Sequence, residues 1–418
     1  MSSSSAATVP DESHRMTPTE RRASLSLASL YAFRMLGLFL VLPVFAVHAQ
    51  HLPGGSDPLL IGLVLGIYSL TQGLLQLPFG MASDRFGRKP VIVFGLVLFA
   101  LGSLVAAAAT DIWTTILGRA LQGTGAISAA VTACIADNTR DSQRTKAMAL
   151  VGASIGMTFA VSLVAAPLLY EWVGMSGIFH LTALMALVGI LIVWRAVPVL
   201  PRAVPLRQAE DHRPTRTSFR AVALDAELAR LNLGIFALHL VQMAMFVVLP
   251  TWLVERSELP LARHWIVYLP VVLVSFAVMM PPIHWGERHG RLRAVFLVSI
   301  VLILAVQLGY AAQPIGLLPF AALLLVFFAA FNVLEATLPS MVSRLAPPDL
   351  KGAALGMYNT TQALGLFAGG ALGGWVSRQF GETSVFVLCA LVMAVWLLVA
   401  LGARRWPAPS SRGRAAGH

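Results

Sequence analysis

Charge is scarce in this chain. Asp, Glu, Lys and Arg together supply 12% of the 418 residues, whereas 57% are hydrophobic and the mean hydropathy is +0.77. A soluble domain carries about twice that charged share, so a water-facing globular fold is excluded and a lipid-embedded one is expected. Cysteine is scarcer still. Cys134 and Cys389 lie in different apolar stretches, so no disulfide is expected. The sequence has no His-Glu-x-x-His, no pair of carboxylates within an apolar run and no Cys–His set, which removes the usual constellations of an intramembrane enzyme and implies neither metal nor cofactor. Gly152-Ala153-Ser154-Ile155-Gly156 matches the nucleophile-elbow pattern only formally, because no strand precedes it.

Long apolar runs are what the chain has instead. Twelve of them, each near the roughly 20 residues a spanning helix needs, fall at 25–48, 59–80, 90–109, 112–136, 144–170 and 176–196, then at 228–254, 262–284, 292–312, 315–343, 352–377 and 383–403. The run that starts at Leu25 is longer than a signal-peptide core, so an uncleaved first span is expected. Residues 1–24 read as a disordered tail and 404–418 as an arginine-rich one. Residues 197–226 form a linker with Pro198, Pro201, Pro205 and Pro214, and Phe219 to Leu228 could lie on the membrane as a short amphipathic helix. The domain reading is therefore a six-helix bundle at 25–196 and another at 227–403.

A formal charge of +11 raises nucleic acid as a partner, but the placement of the cations decides against it. Arg256, Arg263 and Arg378 fall on one side, Arg34 and Arg119 lie within spans, and every other Lys and Arg falls in segments that would face the other side. Such asymmetry is the positive-inside pattern. It puts both termini and the linker in the cytoplasm.

The densest charge cluster lies between the second and third spans, Gly80-Met81-Ala82-Ser83-Asp84-Arg85-Phe86-Gly87-Arg88-Lys89-Pro90. Its Gly-x3-Asp-Arg-x-Gly-Arg-Lys pattern resembles the loop signature of the major facilitator superfamily. A partial repeat, Glu287-Arg288-His289-Gly290-Arg291, stands at the matching place of the second half, with Ile283 where the first glycine would be. The resemblance implies an all-α membrane protein of the major facilitator fold: twelve transmembrane helices in two six-helix bundles, with a binding site between them near the bilayer midplane. It also implies that Asp137, at the end of the fourth span, joins Gly80, Asp84, Arg85, Gly87, Arg88 and Lys89 in a cytoplasmic gate.

Charges within spans are costly and usually face a cavity or a partner. Arg119, in Gly118-Arg119-Ala120-Leu121-Gln122-Gly123, resembles the superfamily's Arg-x-x-Gln-Gly signature, which implies proton coupling; the bland alternative is an arginine bonded to backbone carbonyls. Gly156 and Pro167 of the fifth span resemble the antiporter motif, although Ala166 replaces its usual glycine. In the seventh span Asn232, Phe236, His239 and Met243 share a face, with Gln242 beside them. In the tenth, Asn332 and Glu335 stand three apart ahead of Pro339, and Glu335 is the one acid placed well within a span. Glu335 is expected to carry the proton, with His239 shaping the same cavity and Arg34 a candidate partner. The alternative is that Glu335 only bonds Asn332 or backbone freed by Pro339. Asn232, Phe236, Gln242, Met243, Asn332 and Gln122 are the candidate substrate-cavity residues, and the pairs Gly62/Gly66 and Gly369/Gly373 read as close-packing positions.

Together with Arg144-Thr145-Lys146-Ala147-Met148-Ala149 and Phe33-Arg34-Met35-Leu36-Gly37, these segments resemble the YajR-like branch of drug:proton antiporters over residues 25 to 403. The best-known member of that branch carries a small soluble domain after its last span, which this sequence is expected to lack. The resemblance implies a multi-pass protein of the bacterial inner membrane, acting as a monomer on protons and a small organic substrate. Efflux of amphipathic or cationic compounds is the leading expectation. Export of a sugar or amino-acid derivative fits the same residues, and a non-transporting receptor would keep the fold without the flux.

Overall fold

The computed structural model describes residues 16–197, 222, 224–347, 350–403 and 406, without the side chains at 141, 142, 144, 145 and 149. The tail up to residue 15, most of the linker with its surface-helix candidate, most of 404–418 and part of the Arg144–Ala149 segment lie outside them. All regular structure among the described residues is helical. The helices are α1 (Pro18–Phe39), α2 (Phe45–Ala49), α3 (Pro58–Phe86), α4 (Arg88–Ala107), α5 (Ile112–Thr124), α6 (Ser128–Asp137) and α7 (Asp141–Arg195) in the first half. The second half contains α8 (Ala226–Glu255), α9 (Trp265–Arg288), α10 (Leu292–Ala311), α11 (Leu317–Leu345), α12 (Lys351–Phe380) and α13 (Thr383–Leu401).

Among the described residues eight helices are apolar and long enough to cross a membrane by themselves, and the difference from twelve has physical causes. The 55-residue α7 holds the fifth and sixth spans and breaks at Gly174, whose φ of 66° suits only a residue without Cβ. The glycine-rich α12 is long but less apolar. The first and fourth spans, expected to be continuous, are each broken in two. In the first, α1 ends at Phe39 and the chain turns before α2 near Pro43, which offers no backbone N–H to continue the helix. In the fourth, α5 stops at Thr124 and Gly125 leaves helical geometry with ψ 52°. The outer surface is apolar: Trp172, Trp194, Leu318 and Leu398 are each at least two-thirds exposed, a surface that lipid, not water, satisfies.

The tail expectation also needs correction at its end. Residues 18–24 are helical, because Thr17 and Glu20 form a reciprocal capping box at the start of α1. Glu20 then reaches the far side of the half, where its carboxylate accepts from the backbone N–H, Nε and Nη2 of Arg140 at 2.9–3.1 Å. These bonds hold its carboxyl down at about 2, well below the usual value.

The two halves meet along α3 and α12. A Cβ on Gly62 would lie 1.9 Å from the Gly370 carbonyl, one on Gly374 2.3 Å from that of Pro58, and one on Gly66 2.9 Å from that of Phe367. Further along the seam a Cβ on Gly73 would lie 3.0 Å from Ala363 and 3.9 Å from the Thr360 carbonyl. The end of the seam is clasped by Arg378 and Asp57 at 3.1 Å. Toward the face that carries the basic loops no such close approach is seen: Gly80 meets only Ala129 of its own half, and nothing lies within 4 Å of a Cβ on Gly352 or Gly356. The tight backbone contacts between the halves thus gather at the face away from the basic loops. On the other side of α12, Gly365, Gly369 and Gly373 pack against the backbone of Phe236, Leu240 and Ala244 in α8, so the glycine pairs are indeed points of backbone approach.

Candidate functional site

Glu335 projects from the middle of α11 beside α8 and α12. Its Oε1 accepts a 3.4 Å hydrogen bond from Gln362 Nε2, and the same nitrogen lies 2.8 Å from His239 Nε2. His239 Nδ1 is 3.2 Å from the Ile235 carbonyl, which can only accept, so in the neutral ring Nδ1 carries the hydrogen and Nε2 offers a lone pair. Glu335 Oε2 is buried, has no hydrogen-bond partner, and faces His239 Nε2 at 3.8 Å. The side chain as a whole remains 38% exposed, so water can reach the carboxyl group through the gap between the halves. Asn332 turns away, donating to Ser275 of α9 at 3.1 Å.

A row of aromatic rings crosses between the halves beside this group. Phe39 and Phe159 lie 5.0 Å apart in the first half, Phe159 and Phe328 span the divide at 5.7 Å, and Phe331 links Phe328 to His239 at 6.5 and 5.6 Å. Edge and tilted contacts of this kind leave ring faces available to an amphipathic guest.

The buried arginines sit elsewhere. Arg119 is fully buried; its Nη1 donates to the Gly37 carbonyl at 2.7 Å and to Gln122 Oε1 at 2.8 Å, and its Nε to the Val64 carbonyl at 3.4 Å. Gln122 passes the chain on to Ser103, which also receives Thr182. One guanidinium thus ties five spans of the first half together. Arg34 donates to the Gly125 carbonyl at 3.0 Å and to Ser128 Oγ at 2.8 Å, which satisfies the backbone group freed by the break between α5 and α6. Both guanidinium groups stack near the buried Tyr68 ring, at 5.6 and 4.9 Å. Neither touches a carboxylate, so the expected Arg34–Glu335 pair does not form: Arg34 is spent on the break in its own half.

At the basic face, Gly87 has a φ of 99° and ends α3 while starting α4; glycine is the residue that makes this turn without strain. The turn aims Arg88 back at Asp84, at Ser83 Oγ (2.8 Å) and at Asp137 Oδ2 (2.9 Å). The Asp84 and Asp137 side chains are about half exposed. Arg85 lies over the Phe86 ring at 5.4 Å, and Lys89 is partly buried at the start of α4. All these contacts lie within the first half. In the second copy Gly290 has a φ of 67° and Glu287 pairs with Arg344 at the end of α11 at 3.3 Å, so the turn is kept and the signs of the charges are exchanged.

The sequence model of the Major Facilitator Superfamily matches residues 27–285 and 264–417. The inner membrane transport protein YajR of Escherichia coli is 42% identical over 399 residues, which is 95% of this chain and 87% of that one. The chain belongs to the Major Facilitator Superfamily. It is a multi-pass membrane transporter. A more distant relative, the multidrug resistance protein MdtH of Proteus mirabilis, is 28% identical over 82% of this chain and 84% of that one. The crystal structure of a bacterial homologue of the human lysosomal transporter Spinster superposes with a TM-score of 0.74 at 12% identity, covering 93% of this chain and 97% of that one, which is a likeness of fold.

In this facilitator several residues expected in the cavity are placed otherwise. Gln122 is fully buried inside the first half. Asn232, Gln242 and Met243 are covered because α8 packs against α2, α3, α11, α12 and α13. Phe236 is partly exposed. Gly152 and Gly156 have nothing within 4 Å of a Cβ, and Pro167 sits within α7 without breaking it. Gln362, Phe159 and Phe328 were not expected. The signal for Gln362 was its place in Asn359-Thr360-Thr361-Gln362, a polar run in the middle of a span.

Proposed function

We propose that this transporter is a proton-coupled exporter of small amphipathic or cationic organic compounds, working by alternating access as a monomer, with Glu335 as the proton carrier. The observation that carries this reading is the water-accessible Glu335 carboxyl group in the membrane interior, where it faces His239 Nε2 at 3.8 Å. A carboxylate there is stabilised by one long hydrogen bond from Gln362, little compensation for a charge at that depth. Protonation removes the charge. The aromatic row beside it supports a flat or amphipathic guest, and a cationic guest would compete with the proton for the same carboxylate. The distant multidrug relative supports the same substrate class. The gathering of tight contacts between the halves at one face supports alternating access, and the cation asymmetry supports cytoplasmic termini and linker. Arg119 enters as a structural tie, because its Nε and Nη1 donate to carbonyls and to Gln122.

The test uses inside-out vesicles loaded with a pH-sensitive dye and energised with a proton gradient. Addition of an amphipathic cation such as ethidium should dissipate the gradient, and Glu335→Gln should abolish that response while retaining ethidium binding. Ethidium, dye and biocide panels that bind and leave the gradient untouched would overturn the coupling.

A further inference from the structure

We propose that Gln362 is a positioning residue for the proton step: it holds Glu335 and His239 face to face so that the proton is shared between Glu335 Oε2 and His239 Nε2. This deepens the proposed function and rests on Glu335 being the proton carrier. The geometry is that of a pair with one hydrogen missing. Nδ1 of His239 is committed to the Ile235 carbonyl, which leaves Nε2 an acceptor, and Glu335 Oε2 is an acceptor as well. The two acceptors face each other at 3.8 Å, with Oε2 buried and otherwise unpartnered. Two lone pairs at that distance repel, and a buried polar atom without a partner is costly. One proton on either atom turns that repulsion into attraction and would draw the pair in from 3.8 Å to hydrogen-bond distance.

Gln362 keeps this pair apart and aligned while it is empty. Both amide hydrogens leave from Nε2, one toward His239 Nε2 at 2.8 Å and one toward Glu335 Oε1 at 3.4 Å. When a proton from cavity water bonds to Oε2, the new O–H donates to His239 Nε2. That lone pair is then no longer available to Gln362, which retains Glu335 Oε1. The other groups around the carboxyl are few. Tyr358 of α12 is buried with an unpartnered hydroxyl and near enough to feel the Glu335 charge. Asn332 of α11 and Ser275 of α9 bond to each other, and among the described residues no lysine or arginine pairs with Glu335. Gln362 therefore stabilises the proton-free state more than the proton-bound one, and its loss should favour proton binding.

The experiment is an infrared pH titration of the full-length protein in detergent, which reads the C=O stretch of a protonated carboxyl group and needs no substrate. The wild-type band should vanish in Glu335→Gln; a band that persists there refutes the carrier reading and this inference with it. With that band assigned, Gln362→Met, which conserves volume but donates nothing, should raise the titration midpoint by about one pH unit, the size of one hydrogen bond to an anion. An unchanged midpoint in Gln362→Met, with the band still lost in Glu335→Gln, overturns the positioning role alone. In His239→Leu the same band should move to higher frequency, because its O–H has lost its acceptor. A band that stays in place there rules out the shared proton.

Discussion

Replacing Gly62 by alanine should loosen the closed face without harming the fold. The added methyl would lie 1.9 Å from the Gly370 carbonyl oxygen, and ordinary contact begins near 3.4 Å, so α3 and α12 must part by about 1.5 Å at that level. The obstacle is backbone on a packed helix, with no flexible side chain to swing aside. Overpacking of this kind costs about 1–3 kcal/mol. The cost applies only to the conformation in which the seam is closed, so the ratio of closed to open at that face should fall about 5- to 150-fold. Alanine is the better helix former by about 1 kcal/mol, so the melting temperature should hold. The assay is a spin-label distance between positions 56 and 379, which flank Asp57 and Arg378, with Cys134 and Cys389 replaced by alanine. Gly62→Ala should add a longer distance at the expense of the short one. Gly352→Ala, where nothing lies within 4 Å, should leave the distribution as in the parent. If Gly62→Ala also leaves it unchanged, the glycine seam does not set the closure.

Three further outcomes follow from single contacts. The Glu20 carboxyl is held near 2 by Arg140, so its contribution is complete above about 4.5 and is lost as pH falls toward 2; Glu20→Gln should cost about 1–3 kcal/mol at neutral pH, and thermal melts should show the gap from wild type narrowing in acid. A gap that does not change with pH would contradict the ion pair. Asp137→Asn removes one of the two anionic partners of Arg88 at a half-exposed site, where such pairs contribute about 0–1 kcal/mol; melting should barely move while uphill efflux falls, and full efflux in vesicles would remove Asp137 from the gate. Arg119→Lys cannot serve Gly37, Val64 and Gln122 with one ammonium group, so it should lower stability by about 1.5–3 kcal/mol; unchanged melting with lost proton coupling would favour the signature's role over the structural one.

The chain of apolar runs was enough to find the fold, because lipid imposes length and polarity on every span and the linker interrupts them once. The breaks were only partly legible. Pro43 announces the end of α1, whereas the break at Gly125 depends on close approach to Gly95 and on the capture of its carbonyl by Arg34, a contact between residues 91 apart in sequence. The loop cluster could be read in full, since its glycines, charges and spacing are local. The candidate site in the second half could be read only by halves. Glu335 and His239 stand out as polar groups in apolar helices, but their bridge, Gln362, comes from a third helix, and nothing in periodicity says that α12 turns that amide toward α8. Gln122 was misplaced for the same reason: a polar residue in a span faces whatever partner exists, and here the partner is Arg119.

The two halves have divided their buried polar groups in a way that bears on mechanism. In the first half Arg34 and Arg119 bond to carbonyls, a hydroxyl and an amide, none of which titrates near neutral pH. That network is fixed: it joins helices and patches a break, and a change of pH gives it nothing to do. In the second half Glu335 and His239 form a pair that lacks one hydrogen, and such a pair has two states by construction. On the proposed function, the response to protons therefore begins among α8, α11 and α12, and the first half is the body against which they move. α12 is the element able to pass that response on. It carries Gln362 toward Glu335, and the next residue, Ala363, packs against Gly73 of α3 across the seam.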